Sequence, residues 1–446
     1  MKTRSSTLMR ASRAAIAALA LAAIAACADE ERAVPFVETD AGPDVVTKPP
    51  PSGDAGAAPP DADAGPPEYD AAVQTVVCAQ AARQPCVTDL VAGENHFCAL
   101  LDDGTVQCWG ANARGALGFS DDEHVPGPSA VKDLTGATQL SSDGLVTCAL
   151  LGNGEAACWG SNEHGQLART DGDGGSVVDT LPHSSRETIP LPSKLARIDV
   201  GRRTVSGLTA AGDLYVWGRN DKGALARPDA GTSAMVAGPA LADRGGFAIK
   251  QVASSDESLY GLTADAGLVN WGTVSGRESS LTPTAAMVPL SLADVTALTA
   301  GPAHACAIAG GRVACWGQNA YGVLGTGYSM ATKLPTPAAL ALTGNTWPLG
   351  IAASARATCV HTTTGSVYCA GASESTRGEA NAFAPSFVHV KAFGGHAVRV
   401  GTTTHAVCAL DKSGEVFCWG ANLFGELGQG SRDAALHPVP MKVNFQ

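Results

Sequence analysis

Charge is scarce in this sequence. Asp, Glu, Lys and Arg make up only 16% of its 446 residues, against roughly a quarter in an ordinary soluble protein. That argues against a coiled coil or a charge-laced helical bundle. Positive charge is the scarcer sign, with 30 Lys and Arg against 42 Asp and Glu, a net charge of −12. Setting aside Lys2, Arg4, Arg10 and Arg13 at the N-terminus leaves 26 basic residues against the same 42 acidic ones. A chain that acidic lacks the footprint needed to hold a phosphate backbone, so a nucleic-acid partner is disfavoured and none is expected. Catalytic signatures are missing too. There is no G-x-S-x-G, no Gly-rich phosphate loop and no H-E-x-x-H, so we expect no enzyme and no cofactor. The apolar run Ala14 to Ala26 stops at 13 residues, short of the about 20 that a membrane-spanning helix needs.

What is there begins with an address. Residues 1–13 carry four positive charges and no negative one, the 13 apolar residues follow, and Cys27 comes directly after them. This is the order of an export signal. Leu21-Ala22-Ala23-Ile24-Ala25-Ala26-Cys27 resembles the lipobox of bacterial lipoproteins. The resemblance implies a diacylglyceryl group on Cys27, which becomes the mature N-terminus, and a lipid-anchored protein of the bacterial envelope. Residues 28–76 then hold 9 Pro, 11 Asp and Glu, 2 Lys and Arg, and only Phe36 and Tyr69 as aromatics. Such a segment cannot bury enough apolar surface to offset its chain entropy and reads as a disordered tether. Asp61-Ala62-Asp63-Ala64-Gly65 and Asp171-Gly172-Asp173-Gly174-Gly175 have the look of calcium loops. Neither has the Glu that such a loop places at its bidentate position, so we read both as solvated acidic segments.

From residue 77 onward one unit is written seven times. Its clearest copy runs Ala92-Gly93, Cys98-Ala99-Leu100, Gly104, Cys108-Trp109-Gly110-Ala111-Asn112 and Gly115-Ala116-Leu117-Gly118. The Trp-Gly pair returns at Trp159-Gly160, Trp217-Gly218, Trp271-Gly272, Trp316-Gly317 and Trp419-Gly420, with Ala370-Gly371 as a degenerate copy. Self-similarity at about 50 residues marks a propeller or solenoid, and short β-branched runs between Gly turns are hairpin chemistry. The pattern resembles the regulator of chromosome condensation repeat family. That resemblance implies an all-β, seven-bladed β-propeller of four-stranded blades over residues 77–446. Asn112, Asn162, Asn220, Asn319 and Asn422 each sit two residues after the Gly of their pair, and Gly115, Gly165, Gly223, Gly322 and Gly425 follow in step. Copies four and six lack the Asn, at Thr273-Val274-Ser275 and Ala372-Ser373, and predict rebuilt loops. No Trp-Asp signature supports a WD-type propeller.

Cysteine spacing is an independent check. After Cys27, ten of the remaining twelve form pairs inside repeats: Cys98 with Cys108, Cys148 with Cys158, Cys306 with Cys315, Cys359 with Cys369 and Cys408 with Cys418. Copies three and four have lost both members, carrying Ser206 and Val216, and Tyr260 and Asn270. Loss in pairs and a Gly turn between members predict five cross-hairpin disulfides, with Cys78 and Cys86 as a sixth. An oxidising compartment would form them. His96 and His304 stand two residues before a Cys, but the pairs are not C-x-x-C and other copies lack the His. A structural His is expected there, and no metal site. The Trp residues are expected in the core. We also expect the segment Val439-Pro440-Met441-Lys442-Val443 to pair with the first blade and close the ring.

Fold alone warrants no function. The reading is a lipid-anchored binding module, a monomer that meets a protein or cell-surface partner. Two alternatives remain: a secreted inhibitor, since the repeats also resemble those of β-lactamase inhibitory protein II, and an unrecognised envelope enzyme. Nucleotide exchange on a GTPase, the activity of the family's eukaryotic founder, fits an exported chain poorly. Between the Asn and Gly of each copy the second residue varies: Arg114, His164, Lys222, Tyr321 or Phe424. Fixed positions maintain a blade and changing ones are free to be surface, so these five are the expected partner contacts. The insertion near residues 169–190 is the alternative.

Overall fold

The computed structural model describes residues 72, 74–78, 85–119, 122–169, 179–227, 233–273, 284–327, 330–377 and 383–445. The export segment, Cys27, nearly all of the tether and both Asp-Gly pieces lie outside the described residues. Within them, seven four-stranded antiparallel sheets each take their strands in chain order. In the first blade these are β1 (Val87–Ala92), β2 (His96–Leu101), β3 (Val106–Ala111) and β4 (His124–Ala130). The first strand of every blade touches the first strands of both neighbouring blades, and that of the seventh blade touches β1. The ring is therefore closed around a channel: a seven-bladed β-propeller.

The core lies between blades. Along β2 and its equivalents the side chains alternate, and each set meets a different neighbour. Phe97, Ala99 and Leu101 pack with Cys408 and Leu410 of the seventh blade, while Cys98 and Leu100 pack with Leu140 and Ala149 of the second. A strand covered on both faces needs no polar side, which is why these runs read as continuously apolar. Trp109, Trp159, Trp217, Trp271, Trp316 and Trp419 are fully buried in these joints. The Gly after each Trp has its own cause. Gly110 sits at φ +106, where a Cβ would come within 2.7 Å of the Asn95 carbonyl oxygen. There the pairing of β3 with β4 shifts register between Cys108 and Gly110.

All six cysteine pairs are bonded as the spacing predicts. Cys98 and Cys108 are direct cross-strand partners with Cα atoms 4.1 Å apart. Cys148 faces and bonds Cys158 in the second blade, with Cα atoms 4.0 Å apart. Cys306 faces and bonds Cys315 in the fifth at 4.1 Å, although its two-residue turn, Gly310-Gly311, makes that hairpin one residue shorter. Cys359 with Cys369 and Cys408 with Cys418 repeat the arrangement in the sixth and seventh blades. Cys78 bonds Cys86 outside the blades. Ser206 faces Val216 and Tyr260 faces Asn270 in the same register, so the paired losses track one geometric position.

The ring does not close as expected. The C-terminal strand, Leu436–Lys442, pairs with Val416–Ala421 of its own blade, with Cys418 opposite Met441. It does not pair with the first blade, which already has four strands of its own. Segments such as Val125–Val131 end the unit before them and do not begin the one after, so no strand is left over to cross the seam. Side chains join it instead. The Trp109 indole N–H donates to the Glu426 carbonyl at 2.8 Å. Val443 is buried in the cluster that holds Phe97 and Trp109, and Phe445 meets the Trp109 ring edge-on at 5.7 Å.

Candidate interaction face

In a four-stranded antiparallel blade, the first and third connections leave at one end and the second at the other. One face of the ring therefore carries the loops at 93–95 and 112–123 and their counterparts; we call it the loop face. The opposite face carries the tight hairpin turns.

The third connection is built by its Asn. Asn112 Oδ1 accepts the Leu117 N–H at 3.0 Å. Asn162, Asn220, Asn319 and Asn422 do the same for Leu167, Leu225, Leu324 and Leu427. The loop so fixed offers a carbonyl to the next blade. Trp159 donates its indole N–H to Ala116 O at 2.9 Å and Trp217 to Gln166 O at 2.7 Å, the same joint that Trp109 makes across the seam. The sixth blade rebuilds this loop as a short helix, α1 (Ser373–Arg377). Thr376 O within it still accepts the Trp419 indole N–H at 2.8 Å, so the joint survives the loss of the motif. The altered loop of the fourth blade, residues 274–283, lies outside the described residues.

The five variable positions ride on these loops. In the first, fifth and seventh blades the loop leans on the last strand of the next blade: a Cβ on Gly115 would meet Ser184, on Gly322 Pro385 and on Gly425 Pro126. Arg114, His164, Lys222, Tyr321 and Phe424 therefore stand at separate joints round the rim, not in one cluster. Arg114 and Tyr321 are exposed; His164, Lys222 and Phe424 are half-buried. Arg114 and Tyr321 hold left-handed backbone, φ 60 and 62, which a non-glycine residue adopts only when its surroundings fix it.

Residues from the first connection link some of these positions. The Arg356 guanidinium lies 4.8 Å over the Tyr321 ring and pairs with Glu374 of α1 at 3.1 Å. Phe424 sits between the rings of His124 at 5.3 Å and His405 at 5.8 Å. His405 Nδ1 bonds Asn95 Oδ1 at 2.9 Å. Glu426 is fully buried beneath, with one oxygen accepting the Phe424 N–H at 2.8 Å and the other 3.7 Å from His405 Nδ1. Burial pushes the Glu426 carboxyl up to about 7, because a charge there would lack solvent. Blades five, six, seven and one thus share a row of aromatic rings interleaved with imidazoles and one guanidinium.

The other half of the face is ionic. Arg202 reaches Glu94 at 3.0 Å and Asp256 at 3.5 Å, Arg203 reaches Asp256 at 3.6 Å, and Arg219 reaches Asp221 at 2.5 Å. Asp143 beside them is pushed up to about 7 by desolvation, opposed by Arg202. Sequence reasoning missed Glu94, Arg202, Arg203, Asp256, Arg356 and His405. The signal was present, since the two residues after the first-strand Gly position change from copy to copy as freely as the loop positions do.

The channel, a cavity of about 310 Å³ lined by every blade, commits its polar side chains to stitching. Gln139 Nε2 donates to Ile198 O at 2.7 Å and its Oε1 accepts the Ile198 N–H at 3.1 Å. Gln251 Nε2 donates to Leu298 O, and Arg399 pairs with Asp89 across the seam at 3.1 Å. His96 and His304 act likewise between blades, each with Nε2 3.0 Å from a Thr hydroxyl of the next blade, Thr147 or Thr358. Burial holds both imidazoles down at about 4. The His96 ring occupies the space a Cβ on Gly93 would need. Among the described residues no group of three or more His, Cys, Asp or Glu could hold a metal ion. No described helix is long and apolar enough to cross a membrane.

Residues 87–116 and 413–446, in the first and last blades, match the regulator of chromosome condensation (RCC1) repeat. Two of its seven units are thus similar to that repeat in sequence. The ultraviolet-B receptor UVR8 of Arabidopsis thaliana is 27% identical over 182 residues, 41% of this chain and 40% of that protein. The chain thus matches well under half the length of that curated relative. Among solved structures, Prp20p of Saccharomyces cerevisiae superposes with a TM-score of 0.65 at 18% identity, over 84% of this chain and 88% of that one. Human WBSCR16 gives 0.60 at 20% identity, over 72% and 85%. At these identities the likeness is one of fold.

Proposed function

We propose that this RCC1-repeat propeller is an exported binding module, anchored by lipid on Cys27, that engages a protein or cell-surface partner through its loop face. The partner row is Tyr321, Arg356, His405 and Phe424. The observation that carries the reading is the division of that face. One half is a network of internal ion pairs around Arg202 and Asp256, while the other presents Tyr321 half exposed (49%) beside the single Arg356–Glu374 pair. Aromatic and Arg side chains of this kind are the types that dominate interface energetics. Six disulfides suit an oxidising compartment outside the cytoplasm. Protein binding is also what the solved work on Prp20p describes, there with Gsp1p and histones. Arg114, His164 and Lys222 stand as further contacts, on the joints nearer the ionic half.

The test is a pull-down from envelope extract in parallel with wild type and a Tyr321→Ala/Phe424→Ala variant. A protein retained by the first and lost by the second supports the row. A partner retained equally by both moves the site elsewhere, with the insertion near residues 169–190 next in line. For the anchor, Cys27→Ser should shift the folded protein from the membrane fraction to the soluble one; unchanged membrane retention would refute lipidation.

A further inference from the structure

The six disulfides are not alike in access. Nine of the ten cross-strand sulfurs are on residues with no exposure, and Cys369 has 1%. Each of these pairs is wedged between two blades. Cys86 has 9% exposure and Cys78 is half-buried. Their bridge belongs to a different structure: a strap of chain that leaves the first blade and runs under the seventh to the sixth, along the hairpin face.

The strap is held by the hairpin turns of blades six and seven, and Cys86 O also accepts the Asp102 N–H of the first blade at 2.9 Å. The Val87 N–H donates to Gly414 O at 3.1 Å and the Val77 N–H to Lys412 O at 2.8 Å, both in the hairpin turn of blade seven. Gln74 Nε2 donates to Thr363 O of blade six at 2.8 Å, and its Oε1 lies 2.5 Å from His396 Nε2. Val76 packs on the cluster shared by blades seven and one. Cys86 Sγ lies so close over Gly414 that a Cβ there would come within 2.4 Å of it. The strap crosses the one joint at which the chain does not pass from one blade directly into the next.

We propose that Cys78–Cys86 is a redox-addressed clasp on the seam of the ring. Its substrate class is an accessible dithiol reductant. A thiolate of the reductant attacks one clasp sulfur, forming a mixed disulfide and releasing the other as a thiolate. The reductant's second thiolate then displaces the remaining Cys and leaves as its own disulfide. The clasp gains two electrons and two protons, and the dithiol loses them. Opening frees the strap from the turns of blades six and seven, while the five cross-strand bridges buried in the joints stay closed because no thiolate can reach them.

The experiment uses the folded protein with a limiting dose of dithiothreitol, followed by alkylation, peptide mapping and amide hydrogen exchange. The clasp should open at least roughly tenfold faster than any cross-strand bridge, and the Val77 and Val87 amides should exchange roughly tenfold faster or more once it is open. Blades two to five should be unchanged. A Cys78→Ser/Cys86→Ser variant should show the fast exchange without reductant and no further response to the limiting dose. Alkylation of the ten buried cysteines at the same dose, or protection at Val77 and Val87 that survives reduction, overturns the proposal. None of these readouts involves the binding partner or the lipid anchor.

Discussion

The two halves of the loop face solve the same electrostatic problem with different bases. Each holds a carboxyl pushed up to about 7, Asp143 in the ionic half and Glu426 in the aromatic half. Asp143 has the Arg202 guanidinium to oppose the shift. Glu426 has His405 at 3.7 Å, and burial holds that imidazole below its usual range, with Arg356 adding to the effect. Arginine keeps its charge at any working pH, whereas an imidazole in this setting is neutral near pH 7. The ionic half is therefore built to stay paired. The aromatic half is left with rings, a buried acid and the one Arg356–Glu374 pair, a composition that the proposed partner row uses.

Glu426→Gln should give the largest change. A carboxyl whose folded pKa is raised adds stability that is complete below its unfolded value near 4.5 and is lost as the pH rises through about 7. The gap corresponds to on the order of 3 kcal/mol. The Gln variant cannot ionise and keeps an oxygen for the Phe424 N–H, so it should melt higher than wild type at pH 8 and similarly at pH 5. Equal melting temperatures at pH 8 would mean that Glu426 is solvated after all. The buried histidines work in the opposite direction. His96 and His304, depressed to about 4, add stability that is full above 6.5 and fades as the pH falls toward 4. Acid should therefore destabilise wild type, and His96→Gln should blunt that acid limb.

Arg202→Ala comes next. It strips Glu94 and Asp256 of a partly buried partner and should cost about 1–3 kcal/mol in denaturant unfolding. Binding should be untouched; a loss of binding would erase the contrast between the halves. The Tyr321→Ala/Phe424→Ala pair should show the reverse, with affinity lowered by about tenfold or more. Some loss of stability is expected from Phe424, which is half-buried between two imidazoles. The smallest effect is that of Tyr321→Ala alone on stability. Its ring is half exposed, so the melting temperature should move by no more than an exposed-site change of about 0.5 kcal/mol implies.

Local chemistry made much of this protein legible from its letters. The Trp-Gly-x-Asn core of the unit fixes a buried indole, a left-handed Gly at the register shift and an Asn that ties its own loop, all within a dozen residues. Seven units, five of them with the complete core, could be counted without knowing how they stack. The cysteine register was equally local, since two strands joined by a short Gly turn leave one choice of partner, for Cys148 and Cys158 as for Cys306 and Cys315. Loop residues such as Tyr321 and Phe424 could be named as surface because they vary where their neighbours do not. The phase of the repeat was not local. Whether Val439–Val443 ends one blade or begins another depends on which strand is already paired, and that is settled only when the first blade is seen to hold four strands of its own. The same holds for the face. Arg356 reaches Tyr321 from the next blade and Glu426 lies beside His405 because the ring brings different connections together. Burial pushes the Glu426 carboxyl up and the His405 imidazole down, and that burial belongs to the assembled ring rather than to the letters of one repeat.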